Sequence, residues 1–304
     1  MTLLAVGSIA FDDLETPAGV RNDLLGGSAT YFSLCASNFC PVRLVAVVGE
    51  DFGEAQEAAY RGRPIDLDGV IRRKGRSFHW KGRYGHDLNE AQTLKTELNV
   101  FADFAPELPG HYKNSPFLFL GNIDPRLQLQ VVGQMSPRPK WVALDTMNFW
   151  IDGSRGELEK ALKATDILLI NEAEAKSLAG ETNAVKAGEV ITSMGPRIVV
   201  VKRGEYGALL VAPGLRVPVP AMPMDSVTDP TGAGDTFAGG FLGYLASAGD
   251  LEEQTLRKAM CIGTVMASFT IEKFGVERIA SVAKADIEER LKLFSRATGV
   301  QGLQ

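Results

Sequence analysis

The sequence is poor in the features that mark several protein classes. Cysteine is scarce: Cys35, Cys40 and Cys261 are three residues, an odd number without a C-x-x-C pair. That excludes a disulfide framework and a zinc site, and it fits reduced thiols in a cytoplasmic protein. Long hydrophobic runs are missing too. The longest charge-free stretch of an expected helix, residues 259–271, has 13 residues, short of the about 20 that cross a bilayer. The apolar start lacks a basic flank and meets Asp12 and Asp13 at once, so it reads as a first strand and not as a secretory signal. Positive charge is not in excess, with 32 Lys and Arg against 37 Asp and Glu. This balance argues against a broad nucleic-acid or membrane surface, though a small phosphate site needs only a few local donors. Neither G-x-x-x-x-G-K-[ST] nor G-x-G-x-x-G after the first strand is present, and H-E-x-x-H is missing as well. A P-loop enzyme and a standard dinucleotide dehydrogenase are therefore disfavoured.

What is present is a rhythm. Short apolar runs at 3–9, 42–48, 117–120, 141–144, 167–170 and 198–201 alternate with helix-like segments at 28–38, 125–135, 156–164 and 172–193, the last broken near Gly180. Runs apolar almost throughout suit strands covered on both faces, so the expectation is a doubly wound, mostly parallel α/β sheet. Residues 208–212 and 215–220 read as a hairpin, and three helices follow at about 233–248, 251–271 and 284–296. Segments 12–24 and 65–99 break the rhythm with polar, Gly-punctuated alternation. They read as a small β lid over a substrate, or alternatively as a decorated edge. No repeat or linker divides the chain, so residues 1–304 are expected to form one domain.

The most informative stretch runs from Asp229 through Pro230, Thr231, Gly232, Ala233 and Gly234 to Asp235, and an apolar helix follows. A helix start leaves four backbone N–H groups free and carries about half a positive charge. Gly232 and Gly234 let an anion approach those amides closely. Asp235 in the first turn suits a base that takes a proton from an alcohol beside that anion, the requirement for phosphoryl transfer to a hydroxyl. Gly239, Gly240 and Gly243 lie inside the same helix at about 1 kcal/mol each relative to Ala, which implies close packing or close ligand approach.

At these residues the chain resembles the ribokinase-like sugar kinases, the PfkB family, whose signature D-x-T-G-A-G-D matches Asp229 to Asp235 in full. Supporting matches keep the family's order: Gly7-Ser8 with Asp12, Leu25-Gly26-Gly27, Val48-Gly49-Glu50-Asp51, Asn171-Glu172-Ala173-Glu174 as N-x-x-E, and Lys202 to Gly207 as K-x-G-x-x-G. The resemblance implies a ribokinase-like sheet with a lid and ATP-dependent transfer to a sugar hydroxyl. By the same resemblance Asp235 is the base, and Gly232, Ala233 and Gly234 form the anion hole. Asn171 and Glu174 organise Mg²⁺, although the two would equally make a helix cap. Lys202, Gly204 and Gly207 line the triphosphate side, with Thr231 in the signature, and Thr228, Ser268 and Gly275 lie toward the adenine. Asp12, Gly26, Gly27, Tyr31 and Asn148 belong to the acceptor side, where Asp12 would equally cap a turn. Many relatives also hold a monovalent cation such as K⁺ near the position of Asp229.

The chain departs from the family where an Asn usually follows the Gly-Gly pair, since Tyr31 stands there. It departs again in D-x-N-x-R, represented by Asp145 to Trp150 with Trp150 for Arg. With Trp80 in the expected lid, these rings suit a nucleobase or the apolar face of a sugar, or plain packing. An adenosine-like nucleoside is therefore an alternative acceptor. A sensor of the same fold and a vitamin-precursor kinase are further alternatives. Exposed lid strands also predict a homodimer.

Overall fold

Apolar runs long enough for one strand and too short for a helix set the architecture. The computed structural model describes residues 1–300 and Gly302. Its strands are β1 (Leu3–Val6), β2 (Ala10–Thr16), β3 (Gly19–Gly26), β4 (Val42–Val48), β5 (Ile65–Arg72), β6 (Phe78–Tyr84), β7 (Ala91–Glu97), β8 (Phe117–Leu120), β9 (Trp141–Asp145), β10 (Ile167–Asn171), β11 (Ile198–Lys202), β12 (Ala208–Ala212) and β13 (Leu215–Val219). The helices are α1 (Ser28–Ala36), α2 (Glu54–Glu57), α3 (Pro125–Gln134), α4 (Asn148–Gly153), α5 (Arg155–Lys163), α6 (Glu172–Ala179), α7 (Ala184–Thr192), α8 (Ala233–Ala248), α9 (Glu253–Thr270) and α10 (Lys284–Thr298).

Nine strands form one sheet in the order β13-β12-β11-β10-β9-β8-β1-β4-β5. Every pairing from β11 to β5 is parallel, and the β12–β13 hairpin closes one edge antiparallel. The pleat divides the core. Leu3, Ala5, Leu44 and Ala46 pack with Phe32, Phe241 and Phe269 of α1, α8 and α9 on one face. Leu4, Val6, Val45 and Val47 pack with Val131, Leu158, Leu178 and Ile191 of α3, α5, α6 and α7 on the other. Burial on both faces is why these strands carry no alternation.

The chain runs from β1 outward through β4 to β5, then returns to the other side of β1 and steps through β8, β9, β10 and β11. The order thus reverses between β1 and β8, and a crevice opens at the carboxyl ends of the strands beside such a reversal. Asp145, Asn171 and Lys202 are the last residues of β9, β10 and β11, so all three stand on that rim.

A second sheet has the order β3-β2-β6-β7. Its β2 and β6 run parallel, with Asp12 opposite Trp80. Alternate residues share a face, so Asp12, Trp80 and Tyr84 lie on one side and Asp13, Glu15, Lys81 and Arg83 on the other. On that outer side Arg83 Nε donates to Glu15 at 2.6 Å.

The expected lid segment 65–99 divides between the two sheets. Ile65–Arg72 is the parallel edge strand beside β4, and only the later strands join the small sheet. An edge strand exposes one side and therefore shows the alternation of a half-covered strand. The break at Gly180 is real, since Gly180 ends α6 in the left-handed conformation. The glycines within α8 serve packing. A side-chain carbon on Gly239 would stand 2.5 Å from the Phe32 carbonyl oxygen, and one on Gly243 would stand 3.0 Å from the Ala36 Cα. Among the described residues no helix is long and apolar enough to cross a membrane.

Candidate active site

The Asp229–Asp235 segment enters α8 through a tight turn held by a carboxylate. Asp229 is fully buried. One of its oxygens accepts from the Thr231 amide at 2.9 Å and the other from the Gly275 amide at 2.8 Å. Both oxygens of the residue expected near a monovalent cation are thus already bonded within the protein. Gly232 then caps α8 at φ 74°, with no side chain of its own to satisfy the helix amides. The Ala233 amide turns back to the Pro230 carbonyl at 3.2 Å, so in this conformation it is the engaged member of the expected anion-hole trio. A β-turn-like bond thus occupies the donor in the middle of the trio.

Asp235 occupies the third position of α8, half-buried. Burial, and then the charge of Asp145, push its carboxyl up to about 7, while Lys202 and its own amide pull the other way. A carboxylate that is costly to ionise in an enclosed site is poised to accept a proton near neutrality. On the rim facing it, Lys202 Nζ donates to Asp145 Oδ2 at 2.7 Å, both side chains being largely buried. Burial alone would push the Lys202 ammonium down, but Asp145, Asp235 and Glu174 outweigh it and hold the group charged.

Asn171 and Glu174 close a reciprocal cap at the start of α6. The Glu174 amide donates to Asn171 Oδ1 at 2.8 Å, and the Asn171 amide donates to Glu174 Oε2 at 3.0 Å. This is the capping box that the spacing N-x-x-E also permits. Glu174 is buried, and desolvation followed by the Asp145 charge pushes it up to about 7. A buried carboxyl whose ionisation is made costlier by a neighbouring carboxylate is relieved by a cation, so the donor set fits a divalent ion even though one Glu174 oxygen is bonded.

Gly204 and Gly207 shape the turn after β11 with φ 54° and 86°, and the Arg203 amide closes it on the Gly207 carbonyl at 2.8 Å. Asn89, from the β6–β7 connection, lies over this turn. Its Oδ1 would stand 1.8 Å from a side-chain carbon on Gly204 and accepts from the Glu205 amide at 3.4 Å. Other polar bridges join the small sheet to the signature segment. Thr16 Oγ1 donates to the Thr228 carbonyl at 2.8 Å, and Thr231 Oγ1 donates to the Tyr84 hydroxyl oxygen at 3.2 Å.

On the acceptor side, Asp12 is 4% exposed and packs so tightly on Gly26 that a side-chain carbon there would lie 1.9 Å from its Oδ2. Burial, then the charges of Asp229, Asp235 and Asp13, push Asp12 up to about 8. Gly27, at φ 92°, lies against the backbone of Ser8 and Ile9. Tyr31 is buried with its ring against Gly232.

Several expected residues stand elsewhere. Asn148 is exposed on the first turn of α4, and Trp150 donates its ring N–H to Asn122 at 2.9 Å. Ser268 spends its hydroxyl inside the protein, donating to the Val265 carbonyl at 2.6 Å and accepting from Arg290 at 3.2 Å. Gly275 uses its amide on Asp229. Both groups are thus bonded within the protein. Sequence reasoning left Asp145, Tyr84 and Asn89 without roles. The position of Asp145 at a strand end was the available signal.

A crevice at parallel strand ends, an acid in the first turn of a glycine-led helix and a covering small sheet make up a ribokinase-like fold. Solved structures agree. The aminoimidazole riboside kinase of Salmonella enterica, solved with aminoimidazole riboside and an ATP analogue, superposes with a TM-score of 0.78 at 16% identity, covering 95% of this chain and 99% of that one. The pfkB family of carbohydrate kinases matches residues 144–282. The cytidine kinase of Thermococcus kodakarensis is 27% identical over 90% of this chain and 98% of its own length. The nucleoside kinase of Methanothermobacter thermautotrophicus is 26% identical over 90% of this chain and 91% of its own length. Together these likenesses make the chain a phosphotransferase acting on a sugar or nucleoside hydroxyl, with the pfkB match itself spanning residues 144–282.

Proposed function

We propose that this protein transfers the γ-phosphate of ATP to a primary hydroxyl of a neutral sugar or nucleoside, with Asp235 as the base. The carrying observation is Asp235 itself, raised toward neutrality at the head of α8 with Lys202 across the crevice. The acceptor hydroxyl gives its proton to the Asp235 carboxylate as its oxygen attacks the γ-phosphorus, and the bond from that phosphorus to the β-phosphate oxygen breaks to release ADP. The amides of Gly232 and Gly234 receive the charge on the transferred group. Lys202 and the turn at Gly204 and Gly207 line the triphosphate beside Thr231, and Thr228 lies toward the adenine. Mg²⁺ held by Asn171 and Glu174, in part through waters, would neutralise phosphate charge when bound. The small sheet excludes water, which would otherwise compete as nucleophile.

The acceptor side selects a neutral molecule. Asp12, Asp229 and Asp235 are all raised by burial, and no cation stands among the leading influences on Asp12. A phosphorylated acceptor would add negative charge to this cluster. Trp80 shares a sheet face with Asp12 and rests its ring on Gly82, a surface that suits a nucleobase and the apolar face of a sugar alike. The named relatives include a cytidine kinase and a nucleoside kinase, which supports a nucleoside as a second reading.

An ADP-coupled assay across ribose, fructose, cytidine, inosine and fructose 6-phosphate tests the proposal. Turnover is expected with a neutral acceptor and not with the hexose phosphate. Turnover confined to the phosphorylated sugar, or none with any of them, would contradict it.

A further inference from the structure

Lys202 is a buried ammonium with unspent hydrogen-bonding capacity. The group carries three donors, and the structure gives it one partner, Asp145, at 2.7 Å. Its position is fixed from two sides. Lys202 ends β11 and Asp145 ends β9, with β10 between them, so the ion pair bridges the top of an intervening strand. Toward the helix, a side-chain carbon on Gly234 would stand 3.2 Å from Lys202 Nζ. The ammonium therefore lies against the first turn of α8, beside the amide that the phosphoryl group is to meet.

We propose that Lys202 is a catalytic residue that donates to the γ-phosphate during transfer, and that Asp145 is a positioning residue that holds its ammonium against the head of α8. This inference rests on the kinase reading and adds what the glycine-led helix lacks. Amides contribute partial charges, whereas a metaphosphate-like group in flight carries full negative charge over three oxygens. A preorganised cation at that spot stabilises it more than amides alone. Asp145 ties Nζ to the β9 end of the rim through the 2.7 Å bond it accepts. No cationic partner for the transferred group is needed from the D-x-N-x-R position, where this chain carries Trp150.

The test compares two nucleotides and needs no acceptor. Calorimetry measures the binding of ADP and of the non-hydrolysable ATP analogue AMP-PNP to the wild type and to Lys202→Met. Loss of a charge-assisted hydrogen bond is expected to weaken AMP-PNP by about 10–100-fold, with ADP affinity held within about 3-fold. The double variant Lys202→Met/Asp145→Asn removes the unpaired carboxylate as well. It is expected to recover thermal stability lost by the single variant while keeping the weak AMP-PNP binding. Equal weakening for both nucleotides would place Lys202 on the inner phosphates and overturn the proposal. A change in melting temperature with neither affinity altered would make the pair purely structural and overturn it too. A wild type that binds neither nucleotide would instead bring down the kinase reading on which the proposal rests.

Discussion

The ring of Tyr31 occupies the space that a side chain at position 232 would need: a Cβ on Gly232 would stand 2.4 Å from the ring carbons. Gly232 is also held at φ 74°, where an L-residue is strained. The acceptor side and the head of α8 thus share one contact. Gly232→Ala is expected to lower stability by about 1–3 kcal/mol from strain alone and to reduce turnover. Denaturant titration paired with the ADP assay checks both.

Tyr31 gives a second, opposite expectation. Its hydroxyl is buried with no partner, whereas Tyr60 donates to Thr30 and Tyr112 to the Asp66 carbonyl. Removing an unsatisfied buried hydroxyl is neutral or stabilising. Tyr31→Phe should therefore match or exceed the wild type in melting temperature while raising the acceptor KM. A fall in stability would show that the hydroxyl is satisfied in solution.

The dual character of Asn171 and Glu174 separates by mutation. Asn171→Ala removes a cap and should cost about 0.5–2 kcal/mol. Glu174→Gln keeps an oxygen for the Asn171 amide and removes the charge. Its stability should hold while the Mg²⁺ concentration for half-maximal activity rises at least about 10-fold. Unchanged Mg²⁺ dependence would leave the pair as a cap alone.

The raised carboxyls make stability depend on pH with a definite sign. Asp12 moves from 3.8 to about 8, Asp235 from 3.8 to about 7 and Glu174 from 4.5 to about 7. Between their unfolded and folded values the native state binds more protons than the unfolded chain, so stability falls as pH rises. The unliganded protein should melt at a higher temperature at pH 5.5 than at pH 8. In kcat/KM the same shift places the acid limb near pH 7, because the base must lose its proton. Scanning calorimetry and pH–rate profiles read the two effects separately.

The sequence announced what is local. Asn171 to Glu174 span one turn and Asp229 to Asp235 a short loop with the first turn of α8, so spacing carries most of their geometry. Unbroken apolar runs of strand length likewise foretold the parallel sheet. What it withheld depends on distant pairing. Asp145 and Lys202 are 57 residues apart, and Asn89 reaches Glu205 across 116. Ser268 looked available until Arg290 of α10 was seen to donate to it. Ile65–Arg72 carried a lid-like polar pattern because an edge strand of a buried sheet is itself half exposed.

The central claim is that Asp235 takes the acceptor's proton at the head of α8. Single-turnover ADP formation by Asp235→Asn, with nucleotide affinity measured alongside, tests it most directly. The account predicts a rate lower by about 10²–10⁴ with ADP binding within about 3-fold of wild type. A variant that keeps more than half of the wild-type rate would contradict it.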